Sequence, residues 1–188
     1  MDRLLHTEWN RRAFLRSMMA GAVLLGERVW QPSPAEARSL GEGRLLLFKP
    51  QTSERLDITY RNAQGQFDSG ALEVVNYFMR CHYSNKVASM DRRVLETLSM
   101  VHAQVGRDKE IILHSAYRSP EYHRYLIKHN EQVARHSYHV SAQAIDFHIQ
   151  GASLRSVCQL ARRLGRGGVG FYPKQQFLHV DCGPTRYW

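Results

Sequence analysis

The stretch SYHVSAQAIDFHI, Ser137 to Ile149, sets two histidines and an aspartate among small and apolar residues. Imidazole nitrogens and carboxylate oxygens are the donors a hydrolytic zinc takes from a protein. It needs three of them, with a fourth position open for water. His139 and Asp146 are seven residues apart, and a later segment, QFLHVDC, supplies His179 and Asp181. Two readings compete: a metal site, or a polar turn running into an ordinary strand.

Side chains alternate faces along a strand. In QAIDFHI, Ile145, Phe147 and Ile149 take one face, and Ala144, Asp146 and His148 take the other. In QFLHVDC, Leu178, Val180 and Cys182 share a face, and Phe177, His179 and Asp181 share its opposite. An aspartate inside a strand is disfavoured, and burying it without a partner is expensive. If both strands lie in one sheet, Asp146 and His179 point into one cleft, and His139 reaches over the same spot from the preceding turn. On spacing alone the two readings stay balanced. His148 faces the same cleft, where it can contact substrate, orient a ligand or replace one. His102, His114, His123, His129 and His136 read as structural or solvent-facing.

The elements that must position these residues follow from periodicity and caps. RLLLF (44–48) and RLDITYR (55–61) read as strands. Asp68 or Ser69 caps a helix bearing Leu72, Val75, Phe78 and Met79. Asp91 caps a second, with Val94, Leu95, Leu98, Val101 and Val105 on one face. EIILHSAY is a strand, and Ser119-Pro120-Glu121 starts a helix. Residues 130–138 are a polar loop. Ser153 caps a last helix that Gly165 ends, and GVGFY and QFLHVDC close the chain as strands. The pattern predicts an α+β fold, a mainly antiparallel sheet with helices packed on one side.

The 188 residues suffice for one domain with a sizeable core. The N-terminus reads differently. Arg11 and Arg12 precede an apolar run from Met18 to Gly26, too short to span a bilayer, and Ala35-Glu36-Ala37 fits a small-x-small cleavage site. This order is that of an export signal, and NRRAFLR resembles a twin-arginine translocation signal. The expected organisation is a signal over 1–37 and a domain over 38–188, located in the periplasm or cell envelope. Membrane contact is expected only through an uncleaved signal. A net charge of +9 asks for anionic partners; export disfavours nucleic acid and points to cell-envelope polymers. The odd cysteine count, Cys81, Cys158 and Cys182, excludes a complete disulfide framework but leaves room for one bridge. Cys158 reads as a buried thiol on a helix stripe.

Ser137-Tyr138-His139 followed by Ala144-Ile145-Asp146 resembles the SxHxxGxAxD motif of zinc D-alanyl-D-alanine peptidases and their hedgehog-like relatives. SAYRSPEYH and the ending GVGFYPKQQFLHVDCGPTRYW resemble the murein endopeptidase K branch more closely, over roughly Gln66 to Trp188. The resemblance implies the hedgehog/D-Ala-D-Ala peptidase-like fold and a zinc enzyme that cuts the peptide stems of peptidoglycan where they crosslink. It is expected to work as a monomer. Carried over by position, His139, Asp146 and His179 are the Zn2+ ligands, and Arg118 steadies the reacting carbonyl oxygen.

Two positions depart from the pattern. The motif's glycine is Ala142, and the glutamate that often precedes the last histidine by three residues is Gln176, which cannot act as a base. Asp181 shares the face of His179 and is the expected general base in its place. Ser137 is expected to bind substrate or to shape the turn, and His148 to bind substrate or support a ligand. The competing function is a non-catalytic peptidoglycan-binding domain that kept the fold and lost the chemistry.

Overall fold

A computed structural model of the chain describes residues 30, 32–33, 41–129 and 134–188. Apart from Trp30, Pro32 and Ser33, the segment expected to be an export signal lies outside the described residues, as does part of the 130–138 loop.

The chain begins with a hairpin of β1 (Gly43–Lys49) and β2 (Glu54–Arg61). Leu45 and Leu47 of β1 are fully buried and alternate with half-buried neighbours, as one-sided burial of a pleated strand requires. Next comes α1 (Ser69–Phe78), started by Asp68, whose side chain accepts the Ala71 N–H. Asp91 does the same for α2 (Arg92–Val105) through the Arg93 N–H. β3 (Ile111–Ser115) leads into α3 (Pro120–His129), where the Ser119 hydroxyl accepts the Tyr122 N–H. β4 (Ala144–Ile149) precedes α4 (Leu154–Leu164), which runs from a Ser153 cap to Gly165 at φ 61°. β5 (Gly168–Tyr172), β6 (Phe177–Asp181) and the short β7 (Arg186–Tyr187) complete the fold.

One seven-stranded sheet has the order β2-β1-β3-β4-β6-β5-β7. Four of its six pairings are antiparallel, while β1–β3 and β5–β7 run parallel, so the sheet is mixed, with antiparallel pairing in the majority as expected. Helices α2 and α4 pack on each other and on β4 and β6. They cover the face formed by Ile145, Phe147, Leu178 and Val180, all buried in one core with Val94, Leu98, Val157 and Ala161. Each of these side chains larger than alanine contributes about 1.5–3 kcal/mol when fully buried. Not every helix joins this layer: α3 has only His123 buried. Helix α2 is anchored to β2 by a buried ion pair, Arg61 Nε to Glu96 Oε1 at 2.8 Å, with the Tyr60 hydroxyl donating to the same oxygen at 3.0 Å. The three cysteines are free thiols, which removes the single bridge left open by their number.

Candidate metal centre

With one face of β4 and β6 closed by helices, the opposite face carries the candidate ligands. The register pairs Asp146 directly with His179 and Ile145 with Val180. Asp146 Oδ1 lies 2.8 Å from His179 Nδ1, and Asp146 Oδ2 lies 3.2 Å from His139 Nε2. The two imidazole nitrogens are 3.3 Å apart. One ligand atom from each of the three residues falls within 4.8 Å of the others.

His139 is delivered by a tight turn rather than by a strand. The Ser137 hydroxyl accepts the His139 N–H at 3.3 Å, and Ala142 adopts φ 57° so that the chain can re-enter β4. A left-handed alanine costs about 1 kcal/mol, which is what the expected glycine would have avoided. The turn is held from outside by α2: the Asp91 N–H donates to the Ala142 carbonyl at 3.0 Å, and the Gln143 amide donates to Asp91 Oδ2 at 3.3 Å. His139 Nδ1 sits 2.6 Å from the Ala116 carbonyl, so this nitrogen carries the proton and Nε2 is left with its lone pair toward Asp146.

His179 is fixed from its other edge. Its Nε2 lies 3.0 Å from Asp181 Oδ2, which leaves Nδ1 for the ligand cluster. Asp181 is wholly enclosed. Arg186 grips both its oxygens, at 2.7 and 3.0 Å, and the backbone N–H groups of Gly183 and Gly168 donate to Oδ1 at 2.8 and 3.3 Å. A side chain at Gly168 would come within 2.5 Å of Asp181 Oδ2, which is why this strand position has none. Arg186 in turn lies between the rings of Tyr138 and Trp188, 5.0 Å from each centroid.

This geometry argues against Asp181 as the general base. Its side chain is 0% exposed, every acceptor direction is used, and it approaches His179 from the edge opposite the ligand cluster. Gln176 is also out of the site. It adopts φ 58° in the turn between β5 and β6, and its amide donates to the Pro173 carbonyl.

Charge and burial act together here. Burial opposes ionisation of Asp146, but His139 and His179 beside it hold the carboxyl well below the usual range. Burial pushes His139 down, toward the neutral form a metal requires. Burial also works against a charged His179, yet hydrogen bonds to Asp146 and Asp181 outweigh it and raise its pKa. Asp181 resists burial through His179, Arg186 and the Gly183 N–H, and lies well below the carboxylate range.

Arg118 is anchored to the site by Nε donating to the Ser115 hydroxyl at 2.8 Å and Nη2 donating to Asp146 Oδ2 at 2.6 Å. Its Nη1 takes no partner among the described residues. His148 is half-buried on the ligand-bearing face of β4, its Nδ1 2.7 Å from His114 Nε2. His114, expected to be structural or solvent-facing, therefore belongs to the cleft. So does Arg186, which the sequence reading missed; its signal was an arginine five residues after an aspartate on the site strand.

The family model described as peptidoglycan L,D-endopeptidase MepK matches residues 37–188. The peptidoglycan L,D-endopeptidase MepK of Escherichia coli K12 is 35% identical over 181 residues, covering 95% of this chain and 97% of its own. The Shigella flexneri protein of that description shows the same identity and coverage. The probable peptidoglycan L,D-endopeptidase MepK of Haemophilus influenzae is 34% identical over 185 residues, 97% of each chain. No solved structure matches significantly. The match spans nearly the whole chain at more than a third identity, so this protein belongs to the MepK family of peptidoglycan L,D-endopeptidases.

Proposed function

We propose that this chain is an exported, zinc-dependent murein endopeptidase that hydrolyses peptide crosslinks of peptidoglycan. The observation that carries this reading is the cross-strand pair Asp146–His179 completed by His139, in a chain of this family. Two neutral-capable imidazoles and one carboxylate form the donor set of a hydrolytic zinc site, and both imidazoles have their second nitrogen engaged. Zinc held there would polarise the scissile carbonyl and lower the pKa of a water to about 7.

The remaining work falls to the chain itself. Asp181 and Arg186 hold His179 in the tautomer that presents Nδ1. Arg118 supplies positive charge beside the cluster, with Nη1 available to a carbonyl oxygen as it gains charge. With Asp181 enclosed, His148 is the one other titratable side chain on the ligand-bearing face of β4 and β6. We place substrate contact and the proton acceptor there, with His114 fixing the ring. Ser137 shapes the ligand turn, its hydroxyl accepting the His139 N–H, and borders a 410 Å³ cavity with Tyr138 and Val140.

Residues 1–37 act as a twin-arginine-type export signal that delivers the 38–188 domain to the periplasm, where the substrate is. The partners are peptidoglycan stems, not nucleic acid, and the working unit is a monomer. A purely wall-binding role would suit a broken ligand set. His139, Asp146 and His179 are together, and Ala142 adopts the backbone conformation its turn requires.

The test is incubation of purified, zinc-loaded protein with crosslinked muropeptides, read by mass spectrometry. The expected product is a dimer cut between an L and a D centre, the bond in the relatives' description. A zinc-replete protein that leaves every crosslink intact would overturn the reading.

A further inference from the structure

Away from the ligand cluster, three tyrosines form a group of near-parallel rings at the surface. Tyr83 lies 4.9 Å from Tyr122 with 15° between planes, and 5.6 Å from Tyr125 with 22°. Tyr122 and Tyr125 are 6.4 Å apart at 15°. His82 meets Tyr122 edge-on at 5.0 Å, and His129 lies 4.2 Å from Tyr125. Core packing does not account for the group, because Tyr83 is 56% exposed and Tyr125 46% exposed.

The group stands beside the site. Tyr122 lies in the first turn of α3, four residues after Arg118, and the segment bearing Tyr83 is joined to α3 by the Lys86–Glu121 ion pair at 2.7 Å. In the sheet order, the ligands of β4 and β6 lie between β3, which leads to Arg118 and the tyrosines, and β5–β7, which leads to Trp188. Trp188 is 45% exposed, with its ring 5.5 Å from His179. Exposed aromatic rings therefore flank the cleft on both sides.

The make-up of the patch suits one kind of occupant well. Here the rings are phenols and imidazoles, each with an apolar face and a polar edge. A pyranose ring matches this: its C–H face stacks on an aromatic face, and its hydroxyl and acetamido groups reach the phenol oxygens and ring nitrogens. We propose that the Tyr83–Tyr122–Tyr125 cluster is a docking platform for the glycan strand of the polymer whose peptide bridges are cut at the neighbouring site. The proposal rests on the murein reading above for the identity of the sugar. Its geometry is continuous with the cleft through Arg118.

The test uses the full chain without added metal, so that hydrolysis plays no part, and peptide-free murein glycan strands as the probe in a sedimentation or calorimetric assay. The double substitution Tyr83→Ala/Tyr125→Ala should weaken binding at least 10-fold, and Tyr83→Phe/Tyr125→Phe should retain most of it. With zinc restored, the Ala pair should raise the apparent KM on intact sacculi by a similar factor. Equal glycan binding by parent and Ala pair would overturn the platform. So would a parent that ignores glycan strands, or one that binds phosphatidylglycerol vesicles through these tyrosines instead. A zinc-loaded parent that binds glycan but cuts no crosslink would sink the endopeptidase reading and leave the platform standing.

Discussion

Asp181 holds His179 by Nε2 at 3.0 Å, the nitrogen on the far edge of the ring from the ligand cluster. A carboxylate in that position orients a metal-binding imidazole and raises its basicity, and losing it typically costs 10–100-fold in metal affinity. Asp181→Asn should therefore weaken zinc binding by about that factor, with turnover largely recovered in excess zinc. Competition with a chromogenic chelator would measure it. Zinc retained at parent affinity, with turnover down about 10²–10⁴, would restore Asp181 to the role of proton acceptor.

His139→Ala and His179→Ala should each abolish stoichiometric zinc, read by elemental analysis of the purified chains. The fold should persist in both, because the ligands sit on the sheet face away from the helix-covered core. Full zinc content in either variant would transfer that ligand's role to His148.

Ala142 is buried in the left-handed region at φ 57°. Ala142→Gly relieves about 1 kcal/mol of strain and adds a similar amount of freedom to the unfolded chain. Stability should stay within about 1 kcal/mol of the parent, with activity kept. Ala142→Val places a β-branched side chain in the same strained, enclosed position and should cost more than about 2 kcal/mol. Thermal unfolding of the pair checks both values.

Asp91 links α2 to the ligand turn and titrates in an accessible range. Burial opposes its charge, but the Arg93 side chain, the Arg93 N–H and Gln143 outweigh this and pull its pKa to about 2. A depressed carboxyl stabilises the fold above its unfolded pKa of about 4. That contribution is lost as pH falls through about 2. After allowance for solvent screening it amounts to about 1 kcal/mol. Parent and Asp91→Asn should differ in unfolding free energy at pH 6, with the gap narrowing as pH falls from about 4 through about 2. A gap that does not narrow over that range would mean the carboxylate charge is not its source.

Much of this architecture is written locally. Alternation in QAIDFHI and QFLHVDC separates Ile145, Phe147, Leu178 and Val180 from Asp146 and His179, and the structure keeps that division. Caps at Asp68, Asp91 and Ser153 start helices as their short polar side chains predict. The parallel pairing of β1 with β3 was not legible, because no periodicity records which distant strand a segment meets. Strand β7 has two residues, too few to show a pattern. The position of Asp181 was hidden for another reason. Sequence places it on the face of His179 but cannot say which edge of the ring it touches. His114 was missed because its partner His148 lies 34 positions away.

The opposition of Asp146 to His179 also bears on safety. A one-residue slip of β4 or β6 would carry its ligand to the helix-covered face and bring Ile145 or Val180 into the cleft. A misaligned chain therefore lacks the complete set of three donors. For an enzyme that opens the wall its own cell depends on, the full constellation exists only in the finished alignment.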